Sequence, residues 1–348
     1  MSSIPKFFLG SNTQTSFVSY FSQLTDFQND LQLMILKGGP GSGKSTLMKK
    51  VLSYALEKGH RVEIIPCASD PKSIDAVIDC SAKFAIMDGT SPHALDPDLP
   101  GARQHIIYTG DMWDTTKLSK NAESISDLTC AVSDCHRGAC AYIKGAASLI
   151  SYNSSFSGRY ISKKKANSFI TEITTHLNGA DAFKESKRLL SAVSVGKIEL
   201  FSDTVSFYAD KIFIISDRFG GCADYILDKI HSFAVLNGER TIFCPCSLNS
   251  DKCDHLIFPD SRVAVLKEND FLKFPFPEAR RLEATYPAMP MVQHLDKNLK
   301  NASILLSEAS RLISDAKFLH DELEAFYISA MDFEKAGELF LDIQTRFY

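Results

Sequence analysis

Residues 34–90 and 213–269 align without a gap when Met34 is set against Phe213, 179 positions later. Identical pairs include Ile35 with Ile214, Gly41 with Gly220, Lys50 with Lys229, Gly59 with Gly238 and Arg61 with Arg240. Pro66-Cys67 matches Pro245-Cys246, Asp75 matches Asp254, Ala85 matches Ala264, and Lys120-Asn121-Ala122 recurs as Lys300-Asn301-Ala302. Self-similarity of this kind means that one structural plan is used twice. With 348 residues the chain can support two domains, each with its own core. The expected division is 1–184 and 185–348.

The first copy contains Gly38-Gly-Pro-Gly-Ser-Gly-Lys-Ser45. Glycines let a backbone turn tightly and aim N–H groups at an anion, a lysine reaches phosphate oxygens, and a hydroxyl takes Mg²⁺. The flanks agree with that reading. Leu31 to Lys37 is a short apolar run of buried-strand type, and Leu47, Val51, Leu52 and Ala55 follow at helical spacing. Strand, loop and helix in that order place a phosphate at a helix N-terminus, where unpaired N–H groups and the positive dipole end favour it. Gly38, Gly39, Pro40, Gly41, Ser42, Gly43, Lys44, Ser45 and Thr46 are the expected nucleotide-binding residues. Pro40 lacks an N–H, but it precedes Ser42 to Thr46, whose amides are expected to line the phosphate.

The second copy lacks these groups. Lys44 aligns with Ala223, Ser45 with Asp224 and Gly43 with Cys222. An acid in place of the hydroxyl repels phosphate and can itself cap the helix. Further on, Asp88 aligns with Lys267.

Phe84-Ala-Ile-Met-Asp88 is an apolar strand that ends in an acid. Asp88 is therefore expected to join Ser45 in holding Mg²⁺. Gly89 and Thr90 follow it, with no glutamate to orient water, so a base has to come from elsewhere. Asp70, His93 and Asp96 are the candidates, each in a turn-like segment where a plain turn role is the alternative. Arg61 and Arg103 could neutralise phosphate charge, although the matching Arg240 points to a structural role for Arg61. No Asn-Lys-x-Asp or Thr-Lys-x-Asp segment of the guanine-selecting type is present, which favours ATP.

A net charge of −4 argues against a chain that coats nucleic acid. No run approaches membrane-spanning length and no signal-like stretch opens the chain, so a cytoplasmic location is expected. The nine cysteines read as reduced thiols. Cys130, Cys135 and Cys140 scatter around a helix, and Cys244, Cys246 and Cys253 lack a fourth ligand at zinc spacing. Residues 117–150 and 166–190 carry helical spacing around a Ser/Gly-rich break at 151–158, which predicts a helical hairpin. The tail from Lys297 places Leu305, Ala309, Leu312, Ala316 and Leu319 on one face. These stripes are expected to pack within the chain, against another copy in a homo-oligomer, or against a protein partner.

Phe8-Leu-Gly-Ser-Asn, Ile35 to Thr46, Cys67-Ala-Ser-Asp-Pro, Asp88-Gly-Thr-Ser-Pro-His and Gly110-Asp-Met-Trp-Asp together resemble a poorly characterised family of bacterial tandem P-loop ATPases. The resemblance spans nearly the whole chain. It implies an α/β fold of two tandem P-loop NTPase-like three-layer domains, with mostly parallel sheets each followed by a helical segment. It also implies ATP binding and hydrolysis, with Mg²⁺ as cofactor and Lys44, Asp88, Asp70 and His93 as catalytic residues. Both halves can carry the loop in that family, and this chain departs from it in the second. Two other readings are a P-loop kinase that passes the γ-phosphate to a small molecule and a non-catalytic scaffold gated by ATP.

Overall fold

The computed structural model describes residues 4–26, 30–179 and 182–347. Contacts divide them into two compact α/β units, one holding 4–11, 19–138 and 311–347, the other 12–18 and 139–310. Both units mix sequence from the two repeats, so the expected cut at 184/185 is not where the structure divides. The tail from Arg311 on belongs with the first repeat's sheet, and residues 139–184 with the second repeat's.

In the first unit β1 (Gln32–Lys37) is followed by α1 (Lys44–Glu57), β2 (Val62–Pro66), β3 (Ile74–Asp79), β4 (Phe84–Asp88) and β5 (Gln104–Tyr108). The sheet order is β2-β3-β4-β1-β5. β1 pairs in parallel with β4 and β5, whereas β3 is antiparallel to β2 and β4. The sheet is therefore mixed, a correction to the mostly parallel expectation. Its cause lies in the connections: the segments before and after β3 are too short for a helical crossover and can only reverse the chain. Met34, Leu36, Met48, Val51, Phe84 and Ile86 form the core between sheet and α1.

After a short helix at Thr115–Lys120, two longer ones follow in the chain, α2 (Ala122–Ser157) and α3 (Lys163–Thr174). The second sheet contains β6 (Glu185–Lys187), β7 (Lys211–Ser216), β8 (Thr241–Pro245), β9 (Cys253–Phe258), β10 (Val263–Glu268) and β11 (Arg280–Glu283), with α4 (Gly221–Leu236) after β7. Its order is β6-β8-β9-β10-β7-β11, the first sheet's plan with β6 added at one edge. The register repeats as well, since Leu36 faces Asp88 in one sheet and Ile215 faces Lys267 in the other. Phe213, Ile215, Ile226, Ile230, Leu256 and Phe258 fill this core.

The chain ends in α5 (Val292–Ser329) and α6 (Phe333–Phe347). α6 packs on α1, and α3 packs on α4. Each loop helix is thus covered by the short helix that follows the other repeat's sheet.

The predicted break at 151–158 is absent, because α2 runs unbroken to Ser157. Its polar residues there have partners that keep the helix: Asn153 Nδ2 donates to Leu295 O at 2.9 Å and its Oδ1 accepts from Asn298. Nor does a helix fill 166–190, where α3 ends at Thr174 and β6 begins at Glu185. On α5 the buried seam is Leu295, Leu299, Ala302, Leu306, Ala309, Ile313 and Ala316, the three-and-four spacing of a coiled-coil seam. Ala309 and Ala316 of the predicted stripe lie on it. Leu305 and Leu312 sit beside it and press on glycines of α2, where a Cβ at Gly145 or Gly138 would come within 3.1 or 2.8 Å of them. Among the described residues no helix is long and apolar enough to cross a membrane.

Candidate functional site at the glycine loop

The loop between β1 and α1 starts at the carboxyl end of a buried strand, the edge at which open α/β sheets bind ligands. Gly38 is required there, because a Cβ would lie 1.9 Å from Thr109 Oγ1. Gly41 has φ +66° and Gly43, with φ +79°, leads into α1 without a side-chain cap. The N-cap glycine thus offers no side chain to the first-turn N–H groups of α1, which suits an anion site.

Lys44 is buried, and its Nζ donates to Gly38 O at 2.9 Å and Gly39 O at 2.7 Å. Asp88 Oδ2 lies 3.6 Å from the same ammonium. Ser42 Oγ bonds Gly39 O, and Thr109 Oγ1 lies 2.9 Å from Ser42 Oγ. Ser45 Oγ accepts from Ile74 N at 3.3 Å and from Ser73 Oγ at 3.2 Å, which ties the hydroxyl to the start of β3. Asp88 Oδ1 accepts from Thr90 N at 2.9 Å. Lys44 and Asp88, far apart in sequence, thus meet where β1 and β4 end, and Ser45 follows Lys44 in the first turn of α1.

His93 is held by Asp75, the second residue of β3. Its Nε2 lies 3.0 Å from Asp75 Oδ2, and the ring packs 4.9 Å from that of Phe21. Burial opposes a charged imidazole, but the Asp75 carboxylate, with Asp88 beyond it, outweighs burial and holds His93 above the ordinary histidine value. Asp70 is placed differently: its Oδ1 accepts from Lys72 N and its Oδ2 lies 3.5 Å from Lys317 Nζ on α5.

Two sequence candidates lie away from this edge, whereas Asp96 is exposed and pairs at 3.3 Å with Lys37, the last residue of β1. Arg61 and Arg103 precede β2 and β5, at the opposite ends of those strands, and Arg103 pairs with Asp30 at 3.2 Å.

Other contributors carry no local sequence signal. Glu324 Oε1 on α5 accepts from Gly41 N at 3.3 Å. A Cβ on Gly39 would meet Tyr327 at 3.1 Å and Trp113 at 3.2 Å. On the side of Gly43 a cavity of about 150 Å³ is walled by Thr46, Leu47, Lys50, Met112, Phe333 and Leu339. Helix–sheet packing brings these together, and no spacing rule could have.

The second loop is closed by its own side chain. Asp217, at the position of Gly38, accepts from the amides of Phe219 and Gly220 through Oδ1 and from those of Cys222 and Ala223 through Oδ2, at 2.8–3.1 Å. Tyr286 also donates its hydroxyl to Oδ1, and burial together with this carboxylate pushes the phenol well above its ordinary range. The repeat alignment does contain this signal, an acid facing a glycine at the first position of the loop. Asp224 Oδ1 meets Lys267 Nζ at 2.9 Å, and Lys267 also lies 3.3 Å from Asp254. A carboxylate holding four amides does the work of a bound anion.

Comparison of this chain with protein-family models, with curated proteins and with solved structures finds no match.

Proposed function

We propose that the chain binds ATP at Gly38–Thr46 and hydrolyses it with Mg²⁺, using one working loop. On this reading it is a tandem P-loop ATPase of the kind it resembles in sequence, and the second loop is a structural counterpart. The observation that carries the reading is the Lys44 ammonium 3.6 Å from the Asp88 carboxylate at a helix N-terminus whose N-cap is a glycine, with Ser45 next in the same first turn.

Each group has a role that its setting supports. Loop amides hold the phosphate chain. Lys44, now on the Gly38 and Gly39 carbonyls, turns onto phosphate oxygens and offsets their charge in the transition state. Ser45 and Asp88 form an all-oxygen donor set, which suits a hard divalent ion, and they are the residues to hold Mg²⁺. When bound, that ion neutralises charge on the transferring phosphoryl group. Asp75 and His93 pair at the start of β3, and Thr90 N holds Asp88. The cavity beside Gly43, with Phe333 and Met112 in its walls, takes the nucleoside.

The test is phosphate release from ATP by wild type and Lys44→Ala. Release that the substitution abolishes supports hydrolysis, whereas release only in the presence of an added acceptor that becomes phosphorylated replaces this reading with a kinase.

A further inference from the structure

We propose that the Glu324 carboxylate is an internal competitor for the phosphate loop, so that nucleotide binds only by displacing the 324–328 turn of α5. The proposal rests on the nucleotide reading of the Gly38–Thr46 loop.

Three observations carry it. The Gly41 N–H that donates to Glu324 Oε1 adjoins the Ser42 to Thr46 amides expected to line the phosphate, and a carboxylate held there repels a second anion. The same turn also covers the loop sterically: a Cβ on Gly41 would lie 2.8 Å from Glu324 O and 3.0 Å from Ile328 Cγ1. The third observation comes from the other loop. Ser154 on α2 and Glu324 on α5 stand at matching positions, each nine residues before the short helix that follows, Lys163 or Phe333. Each lies against the matching glycine, Gly220 for Ser154 and Gly41 for Glu324.

What the two helices bring to those loops is complementary. The second loop carries its own carboxylate, Asp217, and its helix brings neutral hydroxyls: Ser154 donates to Asp224, and Ser157 Oγ accepts from Gly221 N at 3.2 Å. The first loop has Gly38 at that position, and its helix brings the carboxylate. Each glycine loop thus has one carboxylate on its amides. They differ in how readily they leave: Asp217 is 1% exposed, whereas the Glu324 side chain is 35% exposed on one face of a helix. Asp217 is a fixed occupant and Glu324 a displaceable one. A second tie, Lys317 to Asp70, holds the same helix to the loop edge.

A loop closed about nine tenths of the time binds its ligand about tenfold more weakly than its open form. The experiment compares the full chain as wild type, Glu324→Gln, Glu324→Ala and Lys44→Ala. MgATP affinity is measured by calorimetry, and amide exchange of the peptide spanning Gly38–Lys44 is followed with no nucleotide added. The expected result is MgATP binding about tenfold tighter to Glu324→Ala, with Glu324→Gln between, and faster loop exchange in Glu324→Ala. Lys44-dependent binding of equal strength in wild type and both Glu324 variants overturns the competitor and leaves the nucleotide reading standing. Unchanged affinity with lost turnover also overturns it, since Glu324 then acts on water. If no variant binds MgATP, the nucleotide reading falls and the competition with it, whereas the exchange result still tells whether Glu324 guards the loop.

Discussion

Lys267 Nζ lies 2.9 Å from Asp224 Oδ1, and the two residues hold the positions that Asp88 and Ser45 hold in the other repeat. In the first repeat the cation is on the helix and the acid on the strand. In the second the pair is reversed, so the loop edge stays neutralised without a site for phosphate.

Removing the cation should expose the cost of this arrangement. Lys267→Met takes the buried cation from Asp254 and leaves Asp224 only the more exposed Lys252 at 3.3 Å, and should lower unfolding stability at pH 7 by about 3–5 kcal/mol. Burial raises the Asp224 pKa, but Lys267 and Ser154 outweigh it and hold the group below 3.8. A lowered folded-state pKa adds stability that is present above the unfolded value and lost as pH falls through the folded one. In Lys267→Met the acids take up protons instead, so the deficit should shrink between pH 7 and pH 4. Urea titrations at the two pH values check this.

Asp217→Ala removes the acceptor shared by four buried amides and Tyr286. Stability should drop by roughly 3 kcal/mol, the cost of leaving several buried donors without a partner. Chemical denaturation followed by tyrosine fluorescence reads the change. A loss below about 0.5 kcal/mol, the range of plain surface changes, would contradict the role given to this carboxylate.

His93 gives a pH signature of opposite sign. Its folded pKa is raised, so its contribution is full below the ordinary value of 6.5 and fades as pH rises through the folded one. His93→Gln should therefore cost on the order of 1–2 kcal/mol at pH 5.5 and less at pH 8.5. Thermal denaturation of both proteins across that interval makes the comparison.

Phe333 separates base from phosphate recognition. In Phe333→Ala the affinity for ATP should fall about tenfold, the scale of one base–aromatic stack, while inorganic tripolyphosphate binds as before. Equal losses for the two ligands would place Phe333 in loop support rather than in the nucleoside cavity.

The glycine loop, the strand that ends at Asp88 and the duplication were legible because each rests on local spacing or on self-comparison. Where the second strand of each repeat turns back was not read, although the short segment around Asp70-Pro71 held the information in its length. The seam of α5 was misplaced because Leu305 and Leu312 are large and apolar, yet they pack on Gly145 and Gly138 beside the seam instead of lying on it. Glu324, Tyr327 and Phe333 were out of reach: hundreds of residues separate them from the loop, and only the course of α5 and α6 brings them there.

The central claim is that Lys44 and its loop bind a nucleoside triphosphate. The most direct measurement is the thermal shift of the full chain with MgATP, wild type beside Lys44→Ala, because a ligand that binds the folded state raises its melting temperature by mass action. The account predicts a concentration-dependent rise in wild type that Lys44→Ala lacks. A rise of equal size in both proteins, or none in wild type with any nucleoside triphosphate, would contradict it.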